Sequence, residues 1–194
     1  MIIWRRKLYR MGMGTLFAFI VYFGGITWVL SVLGFFLALL ILWEYKRRTH
    51  PGLYGWIAGH SRGILKDYTG FFLPETYFVL SVLLVFCFLP LSIGLATLLF
   101  LTYGDALSAI IGVNFGRHRI FRQKSLEGFL AFLSGAFVIA FLVSILPRYQ
   151  LPFVIGFSGA VIAGLTEFFS VPPDDNFSVT IFSGLAMFLV SHFV

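Results

Sequence analysis

The stretch MGMGTLFAFIVYFGGITWVLSVLGFFLALLILW, residues 11–43, runs without a single charged side chain. A bilayer core about 30 Å thick is crossed by roughly 20 helical residues, so this run is too long for one span. Glycine pairs tolerate a tight turn, which predicts two short helices hinged near Gly24 and Gly25. Outward from that stretch the same pattern recurs. Apolar spans are expected at about Phe72 to Leu89, Leu91 to Val113, Leu126 to Leu146, Phe153 to Phe169 and Phe177 to Val194, punctuated by Pro90, Pro147, Pro152, Pro172 and Pro173. The expectation is an all-α polytopic membrane protein, a bundle of about seven transmembrane helices. No Pro/Gly/Ser-rich linker or charge run divides the 194 residues, so 1–194 reads as a single domain. The apolar start imitates a signal peptide, but no small-residue cleavage site follows, and the segment is expected to be retained.

Composition agrees: 59% of the chain is hydrophobic and 11% charged, against roughly 45 to 50% apolar content in soluble domains. The net charge of +6 would suggest nucleic acid in a soluble protein. Here the basic residues sit in clusters between apolar runs and act first as topology signals, so nucleic acid is not an expected partner. Arg5, Arg6, Lys7 and Arg10 precede the first span. Lys46, Arg47, Arg48, Arg62 and Lys66 follow the second, and Arg117, Arg119, Arg122 and Lys124 lie between the fourth and fifth. Intervening loops carry only Arg148. The positive-inside rule then puts the N-terminus in the cytoplasm and the loop Val171 to Asn176 on the same side. Pro51 to Tyr68, mixing Trp56 and Leu65 with Arg62 and Lys66, is either an interfacial amphipathic helix or a solvated loop. Cys87 is the only cysteine, which excludes an intramolecular disulfide and a CxxC metal site.

Ionisable groups at the ends of apolar spans are costly and mark functional sites by default. Asp105, Glu127, Glu167, Asp174 and Asp175 all fall on the cytoplasmic side of this topology, beside Arg117, Arg119 and Lys124. Each has a structural alternative: Glu127 can support a helix starting at Ser125, and Asp174 with Asp175 can favour the start of the last helix. Gly104, Ser108, Gly112 and Gly116 recur every four residues, as do Gly156, Ala160 and Gly164 in the sixth span. Helix packing explains both stripes, although the first ends in the basic loop and also offers a nucleotide close approach to backbone. Carboxylates beside lysine and arginine at a membrane surface suit phosphoryl or nucleotidyl transfer. A polyphosphate brings Mg²⁺, which usually takes one or two protein carboxylates, here Asp105 with Asp174 or Asp175. Lys124, Arg117 and Arg119 would neutralise phosphate oxygens. The chain has no GxxxxGK[ST] loop and no HRD or DFG set, so such a site would have to be built from membrane helices.

At these residues the sequence resembles the CTP-dependent lipid kinases, the family of dolichol kinase, phytol and farnesol kinases and the yeast-type diacylglycerol kinase. The resemblance is carried by GDALSAIIGVNFGRHRI at Gly104 to Ile120, KSLEG at Lys124 to Gly128, and TEFFSVPPDDNFSV at Thr166 to Val179, in the family's order. The opening RRKLYRMG is also similar, with Arg10 where the family pattern has histidine. What the resemblance implies is transfer of a phosphoryl group from CTP, with Mg²⁺, to the hydroxyl of a membrane lipid alcohol, giving CDP and a lipid phosphate. By matching motifs it implies catalytic roles for Asp105, Lys124, Glu127 and Asp175. Nucleotide contacts would fall to Gly104, Gly112, Gly116, Arg117, Arg119, Lys124, Ser125 and Asn176, and metal contacts to Asp105, Glu167, Asp174 and Asp175. The rival enzyme is a phosphatidate cytidylyltransferase, in which a lipid phosphate attacks the α-phosphorus and releases pyrophosphate. A transporter or membrane scaffold would instead spread its charges across the membrane depth. The small size points toward a prokaryotic plasma membrane, with the oligomeric state left open.

Overall fold

The residue that shapes the first third of the chain is Gly25. In the computed structural model, which describes residues 2–60, 71–122 and 124–194, helix α1 (Ile2–Thr49) is interrupted there by φ 76°, ψ −174°. Such a left-handed φ suits glycine because no Cβ meets the following carbonyl. The two limbs fold back on each other: the rings of Phe17 and Phe36 meet edge to face at 5.5 Å. In one straight helix, those nineteen positions would lie about 28 Å apart. The hinge expected at Gly24 and Gly25 is therefore present.

A short helix α2 (Pro51–His60) follows and leaves Trp56 exposed. The first part of the segment read as either an interfacial amphipathic helix or a solvated loop is thus helical; Arg62, Ile64, Leu65, Lys66 and Asp67 lie outside the described residues. Helix α3 (Pro74–Phe88) then starts on a buried carboxylate. Glu44, from the second limb of α1, accepts from the backbone N–H of Leu73 and, at 3.1 Å, from the hydroxyl of Thr76. Arg47 pairs with the same carboxylate at 2.8 Å. A buried charge persists only when paired and hydrogen-bonded, and Glu44 spends its charge on fixing α3 against the hairpin.

Leu91–Phe115 is one apolar rod in three pieces: α4 (Leu91–Leu99), a π turn (Phe100–Gly104) and α5 (Asp105–Phe115). A π turn inserts one residue into the helical repeat, and such turns are frequent at functional sites. This one ends immediately before Asp105. Where the sequence suggests only a basic loop, the chain forms a small antiparallel hairpin, β1 (Arg119–Phe121) with β2 (Lys124–Ser125), turning through Arg122 at φ 50°. Phe121 anchors it against Phe169 at 5.5 Å and Phe168 at 6.2 Å. Then come α6 (Leu126–Ser144), α7 (Phe153–Phe169) and α8 (Asp175–Val190).

Among the described residues three helices are long and apolar enough to cross a membrane: Lys7–Thr49, Leu91–Phe115 and Leu126–Ser144. Pro74–Phe88, Phe153–Phe169 and Asp175–Val190 are shorter apolar helices. The inner core joins Phe100, Phe132, Ala136, Ala140, Ala160, Ala163, Val179 and Met187; a second core seats Phe17, Val21, Val29 and Leu33 of the hairpin against Val82, Phe86 and Leu98. The second small-residue stripe and both ends of the first are packing surfaces, while Ser108 and Gly112 in the middle of the first face a cavity. A Cβ on Gly104 would stand 2.9 Å from the Phe132 ring, one on Gly116 2.6 Å from the Ser125 hydroxyl, and one on Gly164 2.6 Å from Leu133.

Candidate functional site

At the end of the bundle where α1 begins, α5 passes, α7 ends and α3, α6 and α8 start, the helices splay around an open cavity of about 560 Å³. That volume lies within the range of about 300–1,000 Å³ usual for ligand sites. Four cations line it (Lys7, Arg10, Arg119, Lys124), as do four carboxylates (Asp105, Glu167, Asp174, Asp175). Pro74, Ser125 and Asp174 also line it, so the N-terminal ends of α3, α6 and α8 all face the same space. Helix N-termini carry unsatisfied N–H groups and partial positive charge, a setting that favours anions. Local capping accounts for two of these ends. Ser125 accepts from the N–H of Gly128 at 3.1 Å, and Asp174 accepts from the N–H of Asn176 at 2.9 Å.

The charges are organised as two lysine–carboxylate pairs. On one side Lys7, itself buried, holds Asp105 at 2.5 Å, with Arg10 3.7 Å from the same oxygen. Arg10 reaches further, to Glu75 at 3.4 Å, and donates to the side-chain oxygen of Asn176 at 3.4 Å. On the other side Lys124 holds Glu167 at 2.5 Å and Asp175 at 3.1 Å, and the Ser108 hydroxyl donates to the same Glu167 oxygen at 3.1 Å. Burial by itself would lower the Lys124 pKa, but the carboxylates of Glu167 and Asp175 outweigh it and hold the ammonium above its ordinary value. Asp174 moves upward: burial raises its carboxyl pKa and the neighbouring Asp175 adds to this, against the N–H of Asn176 and the charge of Arg10.

Of the residues singled out in the sequence, Asp105, Gly112, Arg119, Lys124, Ser125, Glu167, Asp174, Asp175 and Asn176 come together on this cavity. Gly104, Gly116, Arg117 and Glu127 do not line it. Gly104 and Gly116 are packed as described above, and Arg117 is exposed. Glu127 turns toward the basic loop, accepting from the His118 backbone N–H at 3.2 Å and meeting the His118 ring Nδ1 at 2.7 Å. Its place on the first turn of α6 follows from the cap at Ser125, which rotates Glu127 away from the cavity while Gly128 faces it. Lys7 and Arg10 line the cavity, positions that their sequence context hid, and Glu75 reaches the site only as a partner of Arg10. Lys7 and Arg10 stand three apart, hence on one helix face, and that spacing was the available signal.

Among the described residues no group of three or more Asp, Glu, His or Cys side chains is arranged to enclose a metal ion. Mg²⁺ on a polyphosphate needs fewer, one or two carboxylates with the remaining ligands from phosphate and water. Glu167 fits that requirement. Its Oε2 is buried with no hydrogen-bond partner, an arrangement that leaves an oxygen donor for a ligand. Asp105 lines the same cavity from α5.

No protein-family model, no curated protein and no solved structure matches this chain.

Proposed function

We propose that the protein is a polytopic membrane enzyme that transfers the γ-phosphoryl group of CTP to the hydroxyl of a membrane lipid alcohol. The observation that supports this most directly is the cavity itself, where four cations and three helix N-termini face four carboxylates at one end of an apolar bundle. Phosphoryl transfer asks a protein mainly for positioning and charge neutralisation, and this lining offers both. The choice of CTP rests on the resemblance of the Gly104, Lys124 and Thr166 motifs to lipid kinases. The topology proposed with it has seven spans, counting the two limbs of α1 separately, and sets the N-terminus and the cavity on the cytoplasmic side. Two features favour it. The carboxylates gather at one end, and Arg148, the basic residue of the outer loops, meets the Phe23 carbonyl beside the hinge at the other, at 3.2 Å.

In this reaction the alcohol oxygen forms a bond to the γ-phosphorus and the bond to the β–γ bridging oxygen breaks, leaving CDP. Lys124, Arg119, Lys7 and Arg10 would hold phosphate oxygens. Asp105 and Glu167 would hold Mg²⁺, which neutralises charge on the polyphosphate. Asp174 is assigned the hydroxyl proton because burial already raises its proton affinity toward the working pH. The test is to incubate purified protein with Mg²⁺, γ-labelled CTP and separate lipid alcohols: polyprenol, phytol, farnesol and diacylglycerol. Labelled lipid phosphate that disappears in Asp105→Asn is the expected result. Pyrophosphate release on adding phosphatidate, with no lipid labelled, would replace the kinase with a cytidylyltransferase.

A further inference from the structure

Beside the polar cavity lies a second, smaller space of about 190 Å³, enclosed between the two limbs of α1 and helix α3. Its walls are apolar and largely aromatic: Met13 and Phe17 from the first limb, Phe36, Leu40 and Trp43 from the second, and Phe78 from α3. Its charged residues are Arg10 and Glu75, the ion pair at 3.4 Å, and Tyr9 beside Arg10 adds a phenol. Arg10 lines both spaces, so a single guanidinium forms part of the wall between the apolar groove and the charged cavity. One end of this groove is therefore charged and adjoins the proposed transfer site, and the rest is hydrocarbon-like.

An occupant must match that division. Water gains nothing from an apolar lining, and a nucleotide would leave its phosphates among rings. A hydrocarbon chain ending in a hydroxyl matches both parts, with the chain along the aromatic walls and the hydroxyl at Arg10. Size narrows the class further. About 190 Å³ is below the range of about 300–1,000 Å³ for sites that enclose a whole ligand, so the groove suits one chain segment next to the hydroxyl and leaves the remainder of a long lipid to the bilayer. A two-chain glycerolipid would have to bring two chains to the same opening.

We propose that this groove is the acceptor subsite: it takes the first segment of a single-chain long alcohol, and the Arg10–Glu75 pair positions the hydroxyl against the cavity. The inference rests on the lipid-kinase reading above and adds acceptor class and location to it. Glu75 is thus a positioning residue, acting through Arg10.

The experiment uses the full chain in detergent with a long-chain alcohol carrying a diazirine near its hydroxyl, and maps crosslinks by mass spectrometry in wild type, Lys124→Ala, Met13→Trp and Leu40→Trp. Crosslinks are expected on the α1 limbs and α3, competed by unlabelled single-chain alcohol and not by diacylglycerol. They should persist in Lys124→Ala, where transfer is lost, and disappear in both tryptophan variants, which fill the groove from opposite limbs. In turnover, Leu40→Trp should raise KM for the alcohol by about tenfold or more with KM for CTP unchanged, as overpacking of the groove does, and Glu75→Gln should raise KM for the alcohol more than KM for CTP, because Arg10 also faces the charged cavity. Crosslinks elsewhere on the bundle, or competition by diacylglycerol alone, overturn the subsite. If no alcohol is ever phosphorylated yet the groove crosslinks persist, the kinase reading fails and the alcohol site stands. If phosphorylation occurs with crosslinks outside the groove, the reverse holds.

Discussion

The hairpin α1 and the rod α4–α5 are both apolar enough to cross a membrane, yet they are used in opposite ways. In the most apolar window of the hairpin 11% of residues are buried inside the protein, and in the rod 50%. The rod is buried against α6, where Gly104 lies under Phe132 and Gly135 under Leu107, in a core that α7 and α8 complete, whereas the hairpin is laid on the outside through one stripe of Phe17, Val21, Val29 and Leu33. Their contributions to the cavity divide in the same way. The inner helices provide the carboxylates of Asp105, Glu167 and Asp175, and the hairpin provides Lys7 and Arg10. A charged site split between a tightly packed framework and a peripheral element lets the framework fix geometry while the outer element closes the charge balance. It also borders the apolar groove.

Substitutions can break this contrast, and the largest effect should come from the framework. Lys124→Ala strands Glu167, which is 3% exposed, and loss of one partner of a buried pair costs about 3 kcal/mol or more. Thermal unfolding in detergent should show that loss, and CTP turnover should fall by at least about 100-fold. The double variant Lys124→Met with Glu167→Gln should regain most of the stability and none of the turnover. Equal instability of single and double variants would mean that the pair is not what stabilises this end.

Packing gives the next test. Gly104→Val drives a side chain into the Phe132 ring and should cost about 1–3 kcal/mol. Gly34→Ala in the hairpin meets nothing within 4 Å and should be neutral or raise stability by about 0.5–1 kcal/mol through helix propensity. Similar costs at the two positions would erase the distinction between framework and periphery.

Asp174→Asn has a smaller effect with a defined pH dependence. The folded carboxyl has a pKa above its ordinary 3.8, so its stabilising contribution is full below that pH and is lost as pH rises through the folded value. Near pH 7 the charged form is a liability. Asparagine keeps an oxygen for the cap at Asn176, so the variant should melt higher than wild type at pH 7, with the gain vanishing toward pH 4, while turnover drops. Glu127→Gln should be the mildest, within about 0.5 kcal/mol in stability and near wild type in turnover, because that carboxylate serves the His118 loop. A large loss of turnover there would return Glu127 to the catalytic set.

Much of this was legible in the chain. Local rules read over a few residues hold here: uncharged runs became helices, Gly25 made the hinge, and Ser125 and Asp174 capped α6 and α8. The carboxylates of Asp105, Glu167, Asp174 and Asp175 converge on one end as their positions in successive spans required. Less legible was the rotation of each helix about its own axis, which depends on what packs behind it.

The sequence by itself determined the helical apolar runs, their breaks and the end of the bundle at which charge collects, because hydropathy, caps and glycine conformations are properties of short segments. Only the tertiary structure decided which charges meet. It turned Lys7 and Arg10 inward as partners of Asp105 and Glu75, spent Glu44 on the start of α3, rotated Glu127 out toward His118, and left an apolar groove behind Arg10. Those outcomes follow from side-chain packing between segments far apart in the chain, and a one-dimensional pattern does not encode the angle at which one helix faces another.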